Sequence, residues 1–134
     1  MAMTAALMMS GSVAQAQDVN IGRSNITLTS DLMTPETLWA MGRIGAAQAS
    51  PDGKKIVYQV GYYSVKENKG HQVLRVMDAD GKNDRLLTTS AKSEGDAAWL
   101  DNNTLAFLAG GQLWTMSADG TNRKQLTHSD IDIE

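Results

Sequence analysis

The sequence predicts an all-β fold, in which the first two four-stranded blades of a β-propeller follow a signal peptide and a short helix. The main observation is a repeat, since residues 74–88 return as residues 113–127 at an offset of 39. Each copy places an Asp-Gly pair between two short apolar runs, and these residues tolerate the positive φ angles of tight strand reversals. A period of about 40 residues built from strands is typical of propeller blades.

Composition excludes several classes of protein. The chain has 134 residues, of which 42% are apolar, a net charge of -3 and no cysteine. Such a chain is long enough for one globular domain and too acidic to follow a nucleic-acid backbone. The absence of cysteine excludes disulfides, thiolate metal sites and cysteine nucleophiles. We therefore expect no cofactor and no nucleic-acid partner.

Residues 1–16 are predicted to be a signal peptide. Met1 to Val13 is a run of apolar and small residues, and Ala14-Gln15-Ala16 supplies an A-x-A cleavage signal. No Lys or Arg precedes the run, so either the start codon is placed late or the true N-terminus is missing. A buried apolar helix is the alternative interpretation. The run is shorter than the ~20 apolar residues of a membrane span.

Residues 17–42 are predicted to be a lead-in segment containing a short helix. Asp18 to Ser30 reads as a lead-in strand or a linker. The helix begins where Thr34 caps it and Pro35 takes the first helical position, and it ends before Gly42. The residues expected to pack on the neighbouring sheet are Leu38, Trp39 and Met41.

The first blade is predicted over residues 43–90. Ser50-Pro51-Asp52-Gly53 is a β-turn sequence, with Pro at the second position and Gly at the fourth. Strands are expected over residues 44–49, 55–62, 72–78 and 84–88, with a polar connection over residues 63–70.

The second blade is predicted over residues 91–129 and repeats this order. Its strands are expected over residues 96–99, 104–108, 112–117 and 123–127, with a turn at 100–103 and a tight reversal at Gly110-Gly111. Ile56-Val57-Tyr58 aligns with Leu105-Ala106-Phe107 at an offset of 49, because the first connection is longer.

Residues 130–134 resemble the opening of a third unit. Because a propeller closes with about 4–8 blades, two blades leave their outer faces uncovered, and we interpret the chain as the first part of a longer protein. A small free-standing sandwich is the alternative.

Two stretches carry a resemblance to a known family. Leu32 to Trp39, followed by Arg43 to Tyr58, resembles the N-terminal start of the prolyl oligopeptidase family, especially its bacterial exported dipeptidyl-peptidase and acylaminoacyl-peptidase branches. The blade motifs Ser-Pro-Asp-Gly and Met-x-Ala-Asp-Gly-x-Asn-x-x-x-Leu-Thr are shared with TolB-type periplasmic propellers. The Thr-Pro-Glu-x-Leu-Trp opening favours the peptidases, and the resemblance covers roughly residues 31–134.

The resemblance implies a serine peptidase in which a propeller lies over a C-terminal α/β-hydrolase domain and admits only short peptides. Such a hydrolase carries a Gly-x-Ser-x-Gly elbow with Asp and His after it. No serine here has glycine two residues away on both sides. We therefore assign no catalytic, cofactor-binding or metal residue and expect the chain to be inactive alone.

Two functional hypotheses follow from the resemblance. The first is a propeller portion that gates peptide access to a downstream hydrolase domain, exported to the periplasm of a Gram-negative bacterium. The alternative is a non-enzymatic TolB-type periplasmic propeller that binds proteins. The peptide substrates of the first would bind through the missing domain. The sequence neither favours nor excludes a homodimer of the full-length protein, because family dimers form largely through parts that are absent here.

The remaining candidate residues have structural explanations. His71 and His128 are interpreted as solvated loop residues, because neither lies in a cluster of ligands or bases. Trp99 and Trp114 are expected to fill the space between the blades. The four recurring turn aspartates are expected to bond their own backbone; they are Asp52, Asp80, Asp101 and Asp119. The Asp-Gly-Lys sequences lack a phosphate-loop spacing.

Overall fold

The computed structural model describes residues 21–132, and the predicted signal peptide at residues 1–16 lies outside this range. The described part begins with one short helix, α1 (Pro35–Ala40), and continues as eight strands. These are β1 (Arg43–Ala49), β2 (Lys55–Ser64), β3 (Lys69–Asp78), β4 (Arg85–Leu86), β5 (Glu94–Trp99), β6 (Thr104–Ala109), β7 (Gln112–Ser117) and β8 (Lys124–Gln125). No helix in the described range is long and apolar enough to cross a membrane.

The strands form two separate antiparallel sheets, each a four-stranded meander. The first has the order β1-β2-β3-β4 and the second the order β5-β6-β7-β8. Every strand pairs with its neighbour in sequence, as short hairpin connections require. The prediction of an all-β protein is confirmed.

The repeated Leu-Thr sequence has the same structural role in both sheets. Thr88 Oγ1 accepts a hydrogen bond from the Leu74 backbone N–H at 2.7 Å, and Thr127 Oγ1 accepts one from Leu113 at 2.9 Å. Each threonine therefore bonds the backbone of the inner strand at the point where the short outer strand, β4 or β8, stops pairing. Because an unbonded buried backbone N–H is costly, this bond explains why threonine occurs at both positions.

The hydrophobic core lies between the two sheets. Phe107 and Leu105 from the second sheet are completely buried against side chains of the first. The whole cluster comprises Val57, Leu74, Val76, Leu87, Ala97, Leu105, Phe107 and Met116, with Trp99 and Trp114 packed against it. The prediction that the two tryptophans fill the space between the sheets is confirmed.

The first hairpin differs from the prediction of a connection over residues 63–70. β2 and β3 extend further, pairing Tyr62 with His71 and Ser64 with Lys69, so that only residues 65–68 connect them. Asn68 takes a positive φ of 49° at the reversal and accepts a hydrogen bond from the Tyr63 hydroxyl. Polar residues continue the ladder here because strand pairing depends on backbone groups.

The helix begins and ends as predicted. Thr34 Oγ1 accepts the Thr37 N–H at 3.2 Å, Pro35 is the first helical residue, and the helix ends at Ala40, before Gly42. The predicted packing is correct for Trp39, whose ring contacts that of Tyr63 in β2, although no residue of α1 is buried. Leu38, Trp39 and Met41 are all exposed by 40% or more.

The two ends of the described range form no strand. Residues 21–30 have no regular secondary structure, so they form a linker rather than a lead-in strand. Residues 130–132, at the start of the predicted third unit, also have none, and the last two residues lie outside the described range.

Candidate functional site

A cavity of the described residues lies between α1, the linker before it and the β2–β3 connection. Its volume is about 680 Å³, within the range of small-molecule and peptide sites. The apolar side chains of Ile21, Ile26, Trp39, Tyr63 and Val65 line it. We call this cavity the aromatic groove.

Two aromatic rings form the floor of the aromatic groove. The ring centroids of Trp39 and Tyr63 are 5.0 Å apart with an interplanar angle of 43°. The guanidinium of Arg43 lies 4.9 Å from the centroid of the Trp39 ring, a cation–π contact. Trp39 is 40% exposed, so part of its surface is accessible to a ligand.

Charged residues of both signs lie around the aromatic groove. Arg23, Glu36, Lys66 and Glu67 line it, and none of them forms a salt bridge within residues 21–132. This arrangement suits a peptide, which has apolar side chains and polar backbone groups. Among the described lining residues, no hydroxyl is hydrogen-bonded to a side-chain base.

A polar cluster occupies the face of the first sheet that points away from the second. Arg75 donates to both carboxylate oxygens of Asp84, at 3.1 and 2.8 Å, and the Tyr58 hydroxyl donates to Asp84 Oδ1 at 2.7 Å. The hydrogen bond from Arg75 lowers the pKa of Asp84 below its ordinary value, and burial raises the pKa of Tyr58. All three groups satisfy one another, so this cluster has a structural explanation.

A buried ion pair lies within the second sheet, and its arginine also contacts the end of the first. Glu94 is 1% exposed and its carboxylate is paired with the Arg123 guanidinium. Arg123 also lies 4.9 Å from the Phe107 ring centroid and donates to the Leu87 carbonyl at 3.2 Å. The sequence gives no signal for this pair, because a Glu and an Arg 29 residues apart in two polar stretches look like surface residues.

His71 is not the solvated loop residue that the sequence suggests. It lies in β3 and is 4% exposed, beneath the linker that precedes α1. Its Nδ1 is 2.7 Å from the Ile21 carbonyl oxygen and its Nε2 is 3.2 Å from that of Lys92. The ring therefore ties the linker and the β4–β5 connection to the first sheet, a role that depends on contacts distant in sequence.

The remaining predicted residues lie where the sequence placed them. His128 is exposed and outside the strands. Each turn aspartate accepts the backbone N–H two residues later, at distances from 2.7 to 3.1 Å. The backbone bond lowers the pKa of Asp101, and the Thr121 hydroxyl together with the Thr121 N–H lowers that of Asp119. Within residues 21–132 no group of three or more His, Cys, Asp or Glu residues is placed to hold a metal ion.

Comparison with known proteins identifies two relatives, both named dipeptidyl-peptidase 5. One, from Porphyromonas endodontalis, is 35% identical over 106 residues, which are 75% of this chain and 15% of that protein. The other, from Porphyromonas gingivalis, is 38% identical over 84 residues, which are 62% of this chain and 12% of that protein. No family model matches. Over these stretches the chain is homologous to bacterial dipeptidyl-peptidases.

Proposed function

We propose that this chain is the N-terminal β-propeller portion of a serine-type peptidase that hydrolyses peptides. The observation that carries the proposal is the 35% identity to a dipeptidyl-peptidase over 106 residues. The matched stretch is only 15% of that relative, so a catalytic domain of this protein would lie in sequence beyond this stretch. The proposal includes export to the periplasm, which the A-x-A sequence at residues 14–16 supports.

The arrangement of the sheets supports a propeller. Each sheet is a four-stranded antiparallel meander, as a propeller blade is, and the two pack face to face around one core. Their outer hairpins have the same threonine bonds and the same Asp-Gly turns. The face of the first sheet that packs on the second has an equivalent on the second sheet. That equivalent face is available to pack on a further unit.

In this proposal the propeller portion restricts access and the downstream domain performs the chemistry. The aromatic groove supports a contact with peptides, because Trp39 and Tyr63 offer exposed aromatic surface beside charges of both signs. Its volume of about 680 Å³ suits a few residues of an extended peptide and excludes a folded domain.

The first experiment is to read the gene beyond the codon for Glu134 and to express whatever open reading frame it contains. We expect further four-stranded units and then a Gly-x-Ser-x-Gly elbow followed by Asp and His. The purified long protein is expected to release dipeptides from the N-terminus of a chromogenic peptide substrate. Replacing the elbow serine by alanine is the matched control and should abolish release.

The 134-residue chain supplies a second control. It should neither release dipeptides nor react with a fluorophosphonate probe of serine nucleophiles. Probe labelling of this chain would contradict the assignment of catalysis to a downstream domain. A reading frame of further sheets without an elbow would overturn the peptidase proposal and favour the alternative, a protein-binding propeller.

A further inference from the structure

A cavity opens on the first sheet beside the core, at the end of the sheet where β1 begins and β2 ends. Gly61 forms its floor and lies on the same face of β2 as the core residue Val57, because alternate residues of a strand share a face. Apart from its chain neighbours, a Cβ at Gly61 would meet nothing closer than the Arg43 carbonyl oxygen, at 3.9 Å. The volume of the cavity is about 450 Å³, and we call it the Gly61 pocket.

Strand register places polar side chains around this floor. Arg43 in β1 and Gln72 in β3 are the two cross-strand partners of Gly61, so both side chains project from the face to which Gly61 belongs. Gln59, the alternate position before Gly61 in β2, also belongs to this face. Because neighbouring strands are about 5 Å apart, the backbones of Arg43 and Gln72 flank an opening about 10 Å wide.

The charge balance of the Gly61 pocket favours an anion. Arg43 is exposed, and its guanidinium forms no salt bridge in the part of the chain that the structure describes. Its contact with the Trp39 ring, at 4.9 Å from the centroid, restricts the guanidinium without neutralising it. None of the described lining residues is Asp or Glu. An anion therefore gains a counter-charge here and meets no carboxylate.

The amide of Gln59 directs its N–H groups towards the strand that carries Arg43. Its Oε1 accepts the Asp96 backbone N–H at 3.1 Å, which determines the orientation of the amide. Nε2 is therefore turned towards β1, at 3.6 Å from the position of a Cβ on Gly45. The equivalent residue of the second sheet is Leu108. The repeat itself therefore does not require an amide at this position.

We propose that the Gly61 pocket binds a carboxylate. The Arg43 guanidinium pairs with the carboxylate, and Gln59 Nε2 donates a hydrogen bond to it. A planar guanidinium matches the two oxygens of a carboxylate, and one unpaired cation balances its single negative charge. A phosphate monoester, with a charge of about −1.5 to −2 at pH 7, would keep an excess of negative charge. This proposal does not depend on the peptidase proposal.

The test is a titration of the ¹⁵N-labelled full chain with N-acetylglycine at constant pH and ionic strength. We expect saturable shifts of the Gly61 backbone N–H signal and of the side-chain N–H signals of Gln59. The latter are identified by their loss in Gln59→Leu, which introduces the residue of the second sheet. N-acetylglycinamide, which lacks the charge, should bind at least about tenfold more weakly, as loss of a charge-assisted hydrogen bond implies.

Matched variants and probes identify the groups involved. Arg43→Gln, which keeps a polar side chain, should weaken binding of N-acetylglycine about tenfold. Lys55→Gln removes a positive charge at the opposite end of β2 and should leave binding unchanged. Gly61→Val should abolish binding, because its side chain fills the floor of the pocket. N-acetylaspartic acid α-amide presents a side-chain carboxylate, so its comparison with N-acetylglycine distinguishes an acidic side chain from a peptide C-terminus as the source.

Four results would overturn the proposal. One is the absence of saturable shifts with either carboxylate, and another is equal binding of N-acetylglycine and its amide, which would exclude a charge pair with Arg43. The third is an equal loss in Arg43→Gln and Lys55→Gln, which reports general surface charge. The fourth is tighter binding of inorganic phosphate than of N-acetylglycine. Because the acid and the amide are compared on the unmodified chain, that comparison does not depend on how well a variant folds.

Discussion

At the scale of single residues, the Glu94–Arg123 pair buries a carboxylate within the second sheet. Replacing Arg123 by Met would leave the carboxylate of Glu94 buried without a counter-charge. Removing one partner of a buried ion pair costs about 3–5 kcal/mol. We expect Arg123→Met to lower the free energy of unfolding by this amount, measured by urea denaturation.

The double variant tests the cause. Adding Glu94→Gln to Arg123→Met removes the unpaired charge, so the double variant should be more stable than Arg123→Met alone. If the two changes simply add, the loss in Arg123→Met comes from packing against Phe107 rather than from the charge.

Asp84 gives the first sheet a pH-dependent contribution to stability. Its hydrogen bonds from Arg75 lower its pKa below the ordinary value of 3.8. The contribution is therefore fully present above that value and is lost as the pH falls through the lower, folded-state pKa. The Asp84 side chain is 38% exposed, so solvent screening limits the contribution to about 0.2–1 kcal/mol.

The measurement is the free energy of unfolding of the wild type and of Asp84→Asn at about pH 6 and about pH 2.5. The difference between the two proteins should shrink at the lower pH. Asp31→Asn is the control, since Asp31 is exposed and forms no hydrogen bond or ion pair with its side chain in the described range. A difference that is the same at both pH values would contradict the assignment to Asp84.

Residue roles could be predicted from the sequence where they depend on near neighbours. The turn aspartates bond backbone groups two residues away, so their role follows from the local motif. His71 contacts Ile21, 50 residues distant, and Glu94 contacts Arg123, 29 residues distant. These partners are brought together by the folding of distant parts of the chain, which residue spacing does not show.

At the scale of elements, the β6–β7 hairpin depends on its two glycines. Gly110 and Gly111 have φ angles of 56° and 67°, the left-handed region required by a two-residue hairpin turn. Gly111→Ala should lower the free energy of unfolding by about 1–2 kcal/mol, because a Cβ is disfavoured there and would meet the side chain of Asp132.

Gly110→Asn is the matched control for this hairpin. Asparagine is favoured at the first position of such a turn, so this variant should unfold at nearly the wild-type urea concentration. Equal losses in the two variants would show that the hairpin tolerates no side chain at either position.

Element boundaries were predictable where turn chemistry determines them. The Thr-Pro start of α1 and the Ser-Pro-Asp-Gly turn before β2 agree with the structure. The extension of β2 and β3 into residues 63–70 was missed, because polar residues there resemble a loop. The exposure of Leu38 and Met41 was also missed, since an apolar residue on a short helix does not reveal whether a sheet lies beneath it.

At the scale of the whole molecule, the two sheets should unfold together. They share one core, in which Phe107 from the second sheet is completely buried with Leu74 and Val76 from the first. Phe107→Ala should therefore lower the free energy of unfolding by about 3–5 kcal/mol while keeping a single transition. Coincident urea curves from far-UV circular dichroism and tryptophan fluorescence would show this, and separated curves would contradict it.

The two sheets are built alike, yet their order along the chain is not interchangeable. Tyr58, Arg75 and Asp84 occupy the repeat positions that Phe107, Trp114 and Arg123 occupy in the second sheet. Exchanging the sequences of the two sheets, so that each takes the other's place in the stack, would expose the phenylalanine and tryptophan rings and would bury the arginine–aspartate pair. These three positions therefore give the stack a direction, and a duplicated unit could be added at only one end without redesign of this face.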